Sequence, residues 1–325
     1  MKITKELALA FRKELENVSS VIIGTHLNPD GDALGSALAV SLFLDGLGIP
    51  NEVLCHHNAP ANLKFLPNVA GVRQKPKQDK HDLGIVVDLD ALDRLGQTEP
   101  YFHECKRMVV VDHHLPHESP GDLRIVDSSE PATSLILSRL LLELGANITP
   151  DIATCLLTGI VTDTGSFRFR NTTPDALSIS AILLEHGGDI NLISEEVFQS
   201  KPLSSVRLLG HALETMRLDC DRRLAWSSLS NHDFVVADAL DEDTEGVVNE
   251  MLFITSVQIA ALIREPEPGK IRCSFRSRSK YDVAVAARDF GGGGHKNAAG
   301  CTFDLPLKEA EELVVRRLKL CLESC

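Results

Sequence analysis

The chain has 325 residues, 43% of them hydrophobic and 24% charged, and this length suits about two domains of ordinary size. Its 46 acidic residues outnumber 33 lysines and arginines, a formal net charge of −13, so long nucleic acid is a poor partner. No apolar run approaches the roughly 20 residues of a membrane helix, which argues against a membrane protein. Eight scattered cysteines without a C-x-x-C pair indicate a reduced chain, and we expect it to be cytoplasmic.

The first segment, with Leu7, Phe11 and Leu15 at helical spacing among acidic residues, predicts an amphipathic helix and not a secretory signal. Short β-rich runs then alternate with helical stretches: VIIGTH, NEVLCHH, LGIVVD and RMVVVDHH. This alternation predicts an α/β domain with a parallel sheet flanked by helices, whose functional groups lie at the carboxyl ends of the strands. Two helices follow, of which Gly145 ends the first and Pro150 begins the second.

The second half has a different character. Residues 191–218 look mainly helical and are interpreted as a linker between a first domain at 1–190 and a smaller α/β domain at 219–325. In the smaller domain, LAWSSLS, SVQIAALIRE, KIRCSFRSRS and CTFDL predict strands, and YDVAVAARDF and the C-terminal segment predict helices. The run GGGGHKNAAG lies between them.

Acidic and histidine residues follow four separate hydrophobic elements of the first domain. The four groups are His26, Asp30 and Asp32 in HLNPDGD; Asp88 in VVDLD; Asp112, His113 and His114 in VVVDHH; and Asp163 in VTDTGS. Several carboxylates at one sheet edge repel one another unless they are protonated or bind cations. The set is large enough for two divalent ions, and its mixture of imidazole and carboxylate suits Mn²⁺ better than Ca²⁺ or a structural zinc.

Each group also has a simpler interpretation when it is taken alone. Asp30 and Asp32 are typical of turns and helix N-caps, and Asp88 and Asp163 of loop caps or turns. Two adjacent histidines, as in His113–His114, are usually a surface feature without a role, and His56–His57 is interpreted as such a feature. The occurrence of all four groups, each at the end of an element, favours a metal site.

A possible substrate clamp is predicted in the smaller domain. Residues 264–296 contain eight basic residues against four acidic ones, a net charge of +4 that suits a substrate phosphate. Four consecutive glycines before His295 allow backbone N–H groups to approach an anion, although the run is not a Walker A loop. A solvated β-ribbon and a flexible linker are the simpler interpretations. With 5% aromatic residues, serial base stacking along a long strand is disfavoured.

These motifs, spread over nearly the whole chain, resemble those of the DHH phosphoesterase superfamily in its DHH/DHHA1 branch. The similarity is to the bacterial group that acts on very short RNA and on 3'-phosphoadenosine 5'-phosphate. The motifs are H-x-x-P-D-x-D-x-x-G-S from His26, a strand-end Asp88, D-H-H from Asp112, Asp163 before T-G, and G-G-G-G-H ending at His295.

The resemblance implies roles for individual residues. His26 and Asp30 would hold one Mn²⁺; Asp32, His113 and Asp163 would hold the other; and Asp88 would bridge them, with Mg²⁺ or Co²⁺ as the other candidate metals. His114 would face the scissile phosphate, and Asp112 would orient the histidines. Substrate contacts are expected from Arg276, Ser277, Gly292, Gly293, Gly294 and His295. Leu89 and Asp90 stand where small hydroxyl residues are common in the family, which would make Asp90 an extra acid near the metals.

The expected activity is hydrolysis of short oligoribonucleotides and adenosine 3',5'-bisphosphate (pAp) by hydroxide activated between two metal ions, with His114 polarising the phosphate or protonating the leaving oxygen. The alternatives are a phosphodiesterase of linear dinucleotides such as pApA and pGpG, and a nucleotide-binding regulator without catalysis. An inorganic pyrophosphatase is disfavoured by the glycine-rich loop. A homodimer is left open.

Overall fold

The structure is a computed structural model that describes residues 3–78, 80–89, 91–115, 120–278 and 280–323. The chain forms two compact units, Met1–Ser200 and Lys201–Cys325, so the division falls within the segment interpreted as a linker. Across the described ranges, every helix is too short or too polar to cross a membrane.

The first unit has a five-stranded, all-parallel sheet. In chain order its elements are α1 (Lys5–Glu14), β1 (Val21–Gly24), α2 (Gly31–Gly46), β2 (Asn51–Leu54), β3 (Leu83–Val87), α3 (Glu99–His103), β4 (Arg107–Asp112), β5 (Leu123–Val126), α4 (Thr133–Glu143), α5 (Pro150–Asp163), α6 (Pro174–Glu185) and α7 (Ile190–Ser194). The strand order is β2-β1-β3-β4-β5. The predicted parallel sheet is confirmed, and β5 is a strand that the sequence analysis missed.

Both faces of this sheet are covered. The larger core packs α1, α2, α4 and α5 against one face, whereas a smaller cluster around Phe102 and Leu95 covers the other. Strands β1 and β3 are buried along their whole length, as expected for a sheet between two layers. Since all five strands run the same way, the residues that follow β1, β3 and β4 meet at one edge.

The helix ends predicted for α5 are confirmed, and they place its last residue at this edge. Thr149 is the N-cap, Pro150 is the first residue, and Asp163 is the last. The Thr149 hydroxyl satisfies one of the free N–H groups at the N-terminus of α5, since it accepts a hydrogen bond from the N–H of Ile152.

The second unit has a six-stranded mixed sheet. Its elements are α8 (Leu203–Glu214), β6 (Arg217–Asp219), β7 (Leu224–Leu229), α9 (Asn231–Ala237), α10 (Val247–Leu252), β8 (Ile259–Glu267), β9 (Lys270–Ser277), α11 (Val283–Asp289), β10 (Gly293–His295), β11 (Ala298–Phe303) and α12 (Leu307–Glu323). The order is β10-β11-β9-β8-β7-β6, in which β7 and β8 are parallel and the other pairs antiparallel. The smaller α/β domain is confirmed, but α9 and α10 were not predicted, and the last strand begins at Ala298, earlier than CTFDL.

Candidate metal centre

The loop after β1 presents His26 and Asp30. Nδ1 of His26 lies 2.8 Å from the carbonyl oxygen of Leu27, which can only accept, so Nδ1 carries the proton and Nε2 offers a lone pair. Oδ1 of Asp30 caps α2 by accepting the N–H groups of Asp32 and Ala33. Its other oxygen, Oδ2, lies 3.8 Å from Nε2 of His26. The N-cap interpretation of Asp30 is therefore correct, and it leaves one oxygen for a cation.

Asp88 lies at the centre of the cluster. It follows β3 with φ of 58°, a left-handed conformation, and it is 1% exposed. Its oxygens lie 3.4 Å from Nε2 of His26 and 3.4 Å from Nε2 of His113. The hydroxyl of Thr133 donates a third contact to Oδ1, at 3.0 Å. Asp88 thus faces His26, which follows β1, and His113, which follows β4. Asp90 lies outside the described residues.

The two histidines that follow β4 have different surroundings. Nδ1 of His113 lies 3.2 Å from the carbonyl oxygen of Glu130, so its Nε2 is left with a lone pair. Nδ1 of His114 lies 2.8 Å from Oδ1 of Asp112, which also accepts the backbone N–H of His114. The resemblance implied that Asp112 orients the histidines; in the structure it contacts His114, whereas the carbonyl of Glu130 orients His113.

Asp163 reaches the same point from the C-terminus of α5. Its Oδ2 lies 3.4 Å from Nε2 of His113, and Oδ2 of Asp32 lies 3.9 Å from the same nitrogen. The single lone pair of His113 therefore faces three carboxylates, those of Asp32, Asp88 and Asp163.

Asp32 is held by the N-terminus of α4. Its carboxylate accepts the backbone N–H groups of Thr133 and Ser134, at 2.6 and 2.8 Å, and the hydroxyl of Ser134. Gly159 on α5 permits this approach, because a Cβ there would lie 2.4 Å from Oδ1 of Asp32 and 2.0 Å from the Ser134 hydroxyl oxygen. A helix N-terminus stabilises negative charge, which offsets part of the cost of burying Asp32 completely.

The charges of the cluster are unbalanced without a cation. Burial, followed by Asp32, Asp30 and Asp88, raises the pKa of Asp163 to about 10. Burial and the nearby Asp88 also raise the pKa of Asp32 well above its usual range. Burial acts in the same direction on Asp88, but the neighbouring histidines, His26 first among them, lower its pKa below the usual value. The hydrogen bond to Asp112 raises the pKa of His114 to about 9, against the effect of burial.

The donor atoms form three overlapping groups that could each hold a metal ion: His26, Asp30 and Asp88; Asp32, His113 and Asp163; and Asp88, His113 and His114. The first two groups contain six different side chains and no cysteine. His26 and His113 each bind a backbone carbonyl through Nδ1 and direct Nε2 at carboxylates, the arrangement that metal-binding histidines adopt. These residues therefore fit a pair of divalent cations, which would remove the repulsion among the carboxylates.

The pair His56–His57 has a local role that the sequence analysis missed. Nδ1 of His57 accepts the N–H of Asn28 at 3.0 Å, and Nδ1 of His56 accepts the N–H of Gln97 at 2.9 Å. Asn28 lies between His26 and Asp30 and has a left-handed φ of 55°. The contact with His57 therefore stabilises an unusual turn in the loop that carries these two candidate ligands. No pattern in the sequence pairs these positions, because the contact joins loops after two different strands.

In the second unit, the predicted substrate-contact residues are located on β9 and β10, except Gly292, which directly precedes β10. Arg276 pairs in register with Ala298 and Ala260, and Gly293–His295 form a strand in place of the predicted loop. His295 is exposed. Ser277 is buried, and its hydroxyl donates to the carbonyl of Tyr281 at 2.7 Å. Ser277 thus has a structural contact where a substrate contact was expected.

The basic face is smaller than the sequence count predicts. Arg264 and Arg272 both form ion pairs with Asp241, and Lys270 pairs with Glu267. Arg278 donates to backbone carbonyls of the same unit. The Arg276 side chain donates to the carbonyl of Phe275, and burial lowers its pKa. Within the described residues the Arg276 guanidinium forms no ion pair with a carboxylate, so its contact with a substrate anion stays a prediction.

Comparisons with known proteins agree with this arrangement. The DHH family N-terminal domain matches residues 20–160, and the DHHA1 domain matches residues 233–324. The chain is 33% identical over 302 residues to the bifunctional oligoribonuclease and PAP phosphatase NrnA of Thermus thermophilus, an alignment that covers 92% of this chain and 89% of that protein.

Two further relatives are similar over nearly their whole length. The Bacillus subtilis protein that bears the same name is 24% identical, with 94% of this chain and 95% of that protein covered. The crystal structure of an exopolyphosphatase-related protein from Bacteroides fragilis superposes with a TM-score of 0.91 at 29% identity, covering 97% of this chain and 96% of that one. The chain belongs to the DHH/DHHA1 family and is a phosphoesterase with a metal-dependent type of active site.

Proposed function

We propose that this phosphoesterase uses Mn²⁺ to hydrolyse very short oligoribonucleotides and adenosine 3',5'-bisphosphate. The proposal rests on two groups of donor atoms that meet at Asp88. The first group is His26, Asp30 and Asp88, and the second is Asp32, His113 and Asp163. The imidazole of His114 also lies next to Asp88. The names of the Thermus thermophilus and Bacillus subtilis relatives support the substrate class.

In this proposal, His26, Asp30 and Asp88 would hold one ion, Asp32, His113 and Asp163 would hold the other, and both ions would share Asp88. When bound, Mn²⁺ supplies Lewis acidity toward water and toward the phosphoryl oxygens. The mixed imidazole and carboxylate donors favour Mn²⁺ over Ca²⁺, and Mg²⁺ and Co²⁺ are the other candidates.

His114 supplies the proton chemistry. Asp112 accepts from Nδ1 and favours the imidazolium form, so Nε2–H can donate to a phosphoryl oxygen or to the leaving oxygen. Since His114 is about one-third exposed, while Asp112 and Asp88 are buried, it is the member of this trio that a substrate can reach.

The test is a substrate panel with the purified full chain. The protein is incubated with Mn²⁺, Mg²⁺, Co²⁺ or a chelator and offered pAp, RNA of two to five nucleotides, linear and cyclic dinucleotides, and pyrophosphate. We expect AMP from pAp and mononucleotides from the shortest RNA, with activity lost in chelator. Turnover of pApA and pGpG without pAp would favour the dinucleotide phosphodiesterase, and turnover of pyrophosphate alone would reject the proposal.

Asp88→Asn tests whether hydrolysis depends on the carboxylate at the centre of the cluster. Asparagine tolerates the left-handed conformation of residue 88, so this variant keeps the fold while losing the shared carboxylate. We expect hydrolysis to be abolished. Asp151→Asn is the matched control, because Asp151 lies at the opposite end of α5 from Asp163, about 18 Å away. A regulator without catalysis would show no hydrolysis in the unmodified protein either.

A further inference from the structure

The turn after Asp163 has an unusual backbone. Gly165, Ser166 and Phe167 have φ of 55°, 58° and 62°, three consecutive left-handed residues, of which two carry side chains. Backbone hydrogen bonds hold the turn: the N–H of Ser166 donates to Val161 at 2.7 Å, and that of Phe169 donates to Thr164 at 3.0 Å. Strain of this kind persists where the surrounding structure enforces it, and it is concentrated at functional sites.

Phe167 and Phe169, the two phenylalanines of this turn, differ in their exposure to solvent. Phe167 packs against the main hydrophobic core, which anchors the turn. Phe169 is 57% exposed, and its ring lies against Gly165, where a Cβ would be 2.4 Å from Cζ of the ring. A large aromatic side chain is therefore held in a fixed position, open to solvent, next to the backbone two residues after Asp163.

Arginines precede and follow Phe169 in the chain. Arg168 donates through Nε to the carbonyl of Gly165 at 2.7 Å, and both Arg168 and Arg170 are exposed. Within the described ranges, neither arginine forms an ion pair with a carboxylate. In a chain of net charge −13, these are two exposed cations on the turn that follows Asp163, and such cations attract an anion that approaches it.

An exposed aromatic ring and an arginine on one rigid turn match the two parts of a nucleotide. A base stacks on an aromatic face whatever its identity, and a guanidinium binds phosphate. Asn171 ties the end of the turn to the metal centre, since its Nδ2 donates to the carbonyl of Asp163 at 3.0 Å. A nucleotide on this turn would thus lie next to the reacting phosphate.

We propose that residues 165–170 form a nucleobase subsite, in which Phe169 stacks on the base next to the scissile phosphate and Arg170 binds a phosphate of the same nucleotide. The proposal rests on the proposed function, because it assigns part of the substrate of the same site. The subsite accepts any base, since the ring provides stacking without base-edge hydrogen bonds.

The test compares a dinucleotide with the same compound lacking the base next to the scissile phosphate. The quantity measured is the ratio of kcat/KM for the two substrates, in the unmodified protein and in Phe169→Leu and Phe169→Trp. We expect Phe169→Leu to reduce this ratio about tenfold, and Phe169→Trp to retain it. Leu177→Ala is the control, since Leu177 is also exposed, at 52%, but lies on α6.

A ratio in Phe169→Leu equal to that of the unmodified protein would overturn the subsite. If neither compound is hydrolysed, the proposed function fails, but the subsite can still be tested. The equilibrium affinities of the dinucleotide and of the compound lacking the base are then compared in the same variants. For Arg170, we expect Arg170→Ala to raise KM and reduce its dependence on salt, and Arg170→Lys to restore both in part. An unchanged salt dependence in Arg170→Ala would exclude the phosphate contact.

Discussion

The carboxylate of Asp32 accepts both the backbone N–H and the hydroxyl of Ser134, a residue that lies 102 positions later in the chain. This contact joins the first turn of α2 to the first turn of α4 and fixes a buried carboxylate at the metal centre. The positions of the candidate ligands are therefore set by partners that are not ligands themselves.

Ser134→Ala tests this support. The variant removes the hydroxyl and keeps the backbone N–H, so we expect Mn²⁺ to bind about 10- to 100-fold more weakly while the fold is retained. Titration of the metal, by calorimetry or by recovery of activity, measures the change. Ser138→Ala is the control, because the hydroxyl of Ser138 donates to the carbonyl of Ser134 on the same buried helix. Equal metal affinity in both variants would show that the Ser134 hydroxyl does not support the site.

Asp112 and His114 are predicted to act as a unit. Asp112→Asn weakens the hydrogen bond that favours the imidazolium, so we expect kcat/KM to fall about tenfold or more, and His114→Ala to lower it at least as far. If Asp112 acts through His114, the double variant is no worse than His114→Ala. Asp122→Asn, which alters an exposed carboxylate near the start of β4, serves as the control. Additive losses in the double variant would contradict the prediction.

Asp163→Asn is predicted to stabilise the protein without metal. The carboxylate lies at the C-terminus of α5 and near other carboxylates, where both the helix dipole and its neighbours oppose a negative charge. We expect the Tm in chelator to rise by about 2 °C or more, and the increase in Tm on adding Mn²⁺ to become smaller. Thermal unfolding with and without Mn²⁺ measures both. A lower Tm in chelator would show that repulsion among the carboxylates does not limit stability.

Asp82 is predicted to contribute stability that depends on pH. Hydrogen bonds from Lys106 and Ser19 hold the pKa of Asp82 well below its usual range. Its folded-state pKa is lower than the unfolded value of about 3.9, so its contribution is present above that pH and is lost as the pH falls toward the folded-state pKa. We expect Asp82→Asn to lower the urea midpoint at pH 7, and the difference from the unmodified protein to shrink below about pH 4. A difference in urea midpoint that is constant with pH would show that the Asp82 carboxylate is not the source of this stability. Lys106→Met removes one of the two hydrogen-bond partners, so we expect it to lower the midpoint at pH 7 by a smaller amount.

Several features could be predicted from the sequence because they depend on neighbours along the chain. The β-branched runs before His26, Asp88 and Asp112 indicate strands that end at polar residues, and Thr149–Pro150 marks the start of α5. The parallel sheet then brings the strand ends to one edge, so its candidate ligands could be identified together. Asp30 shows that a helix N-cap can also be a candidate metal ligand, since one of its carboxylate oxygens caps α2 and the other faces His26.

Other features depend on contacts that no local pattern encodes. β5 and β10 were missed because each is short, and β10 is rich in glycine, so pairing with a neighbouring strand defines it. Ser277 looked available for substrate, but the fold buries it against Tyr281. Asp241 pairs with Arg264 and Arg272, which removes much of the positive charge that counting along the chain predicts.

By itself, the order of residues determined which side chains stand at the ends of strands and helices, because strand and helix periods are properties of short segments. Tertiary structure alone decided which nitrogen of His26 and of His113 is free, that Gly159 makes room for Asp32, and that Phe169 is exposed while Phe167 is partly buried against the core. The reason is that hydrogen-bond partners and burial depend on contacts between elements far apart in the chain. Those contacts form only when the whole core packs.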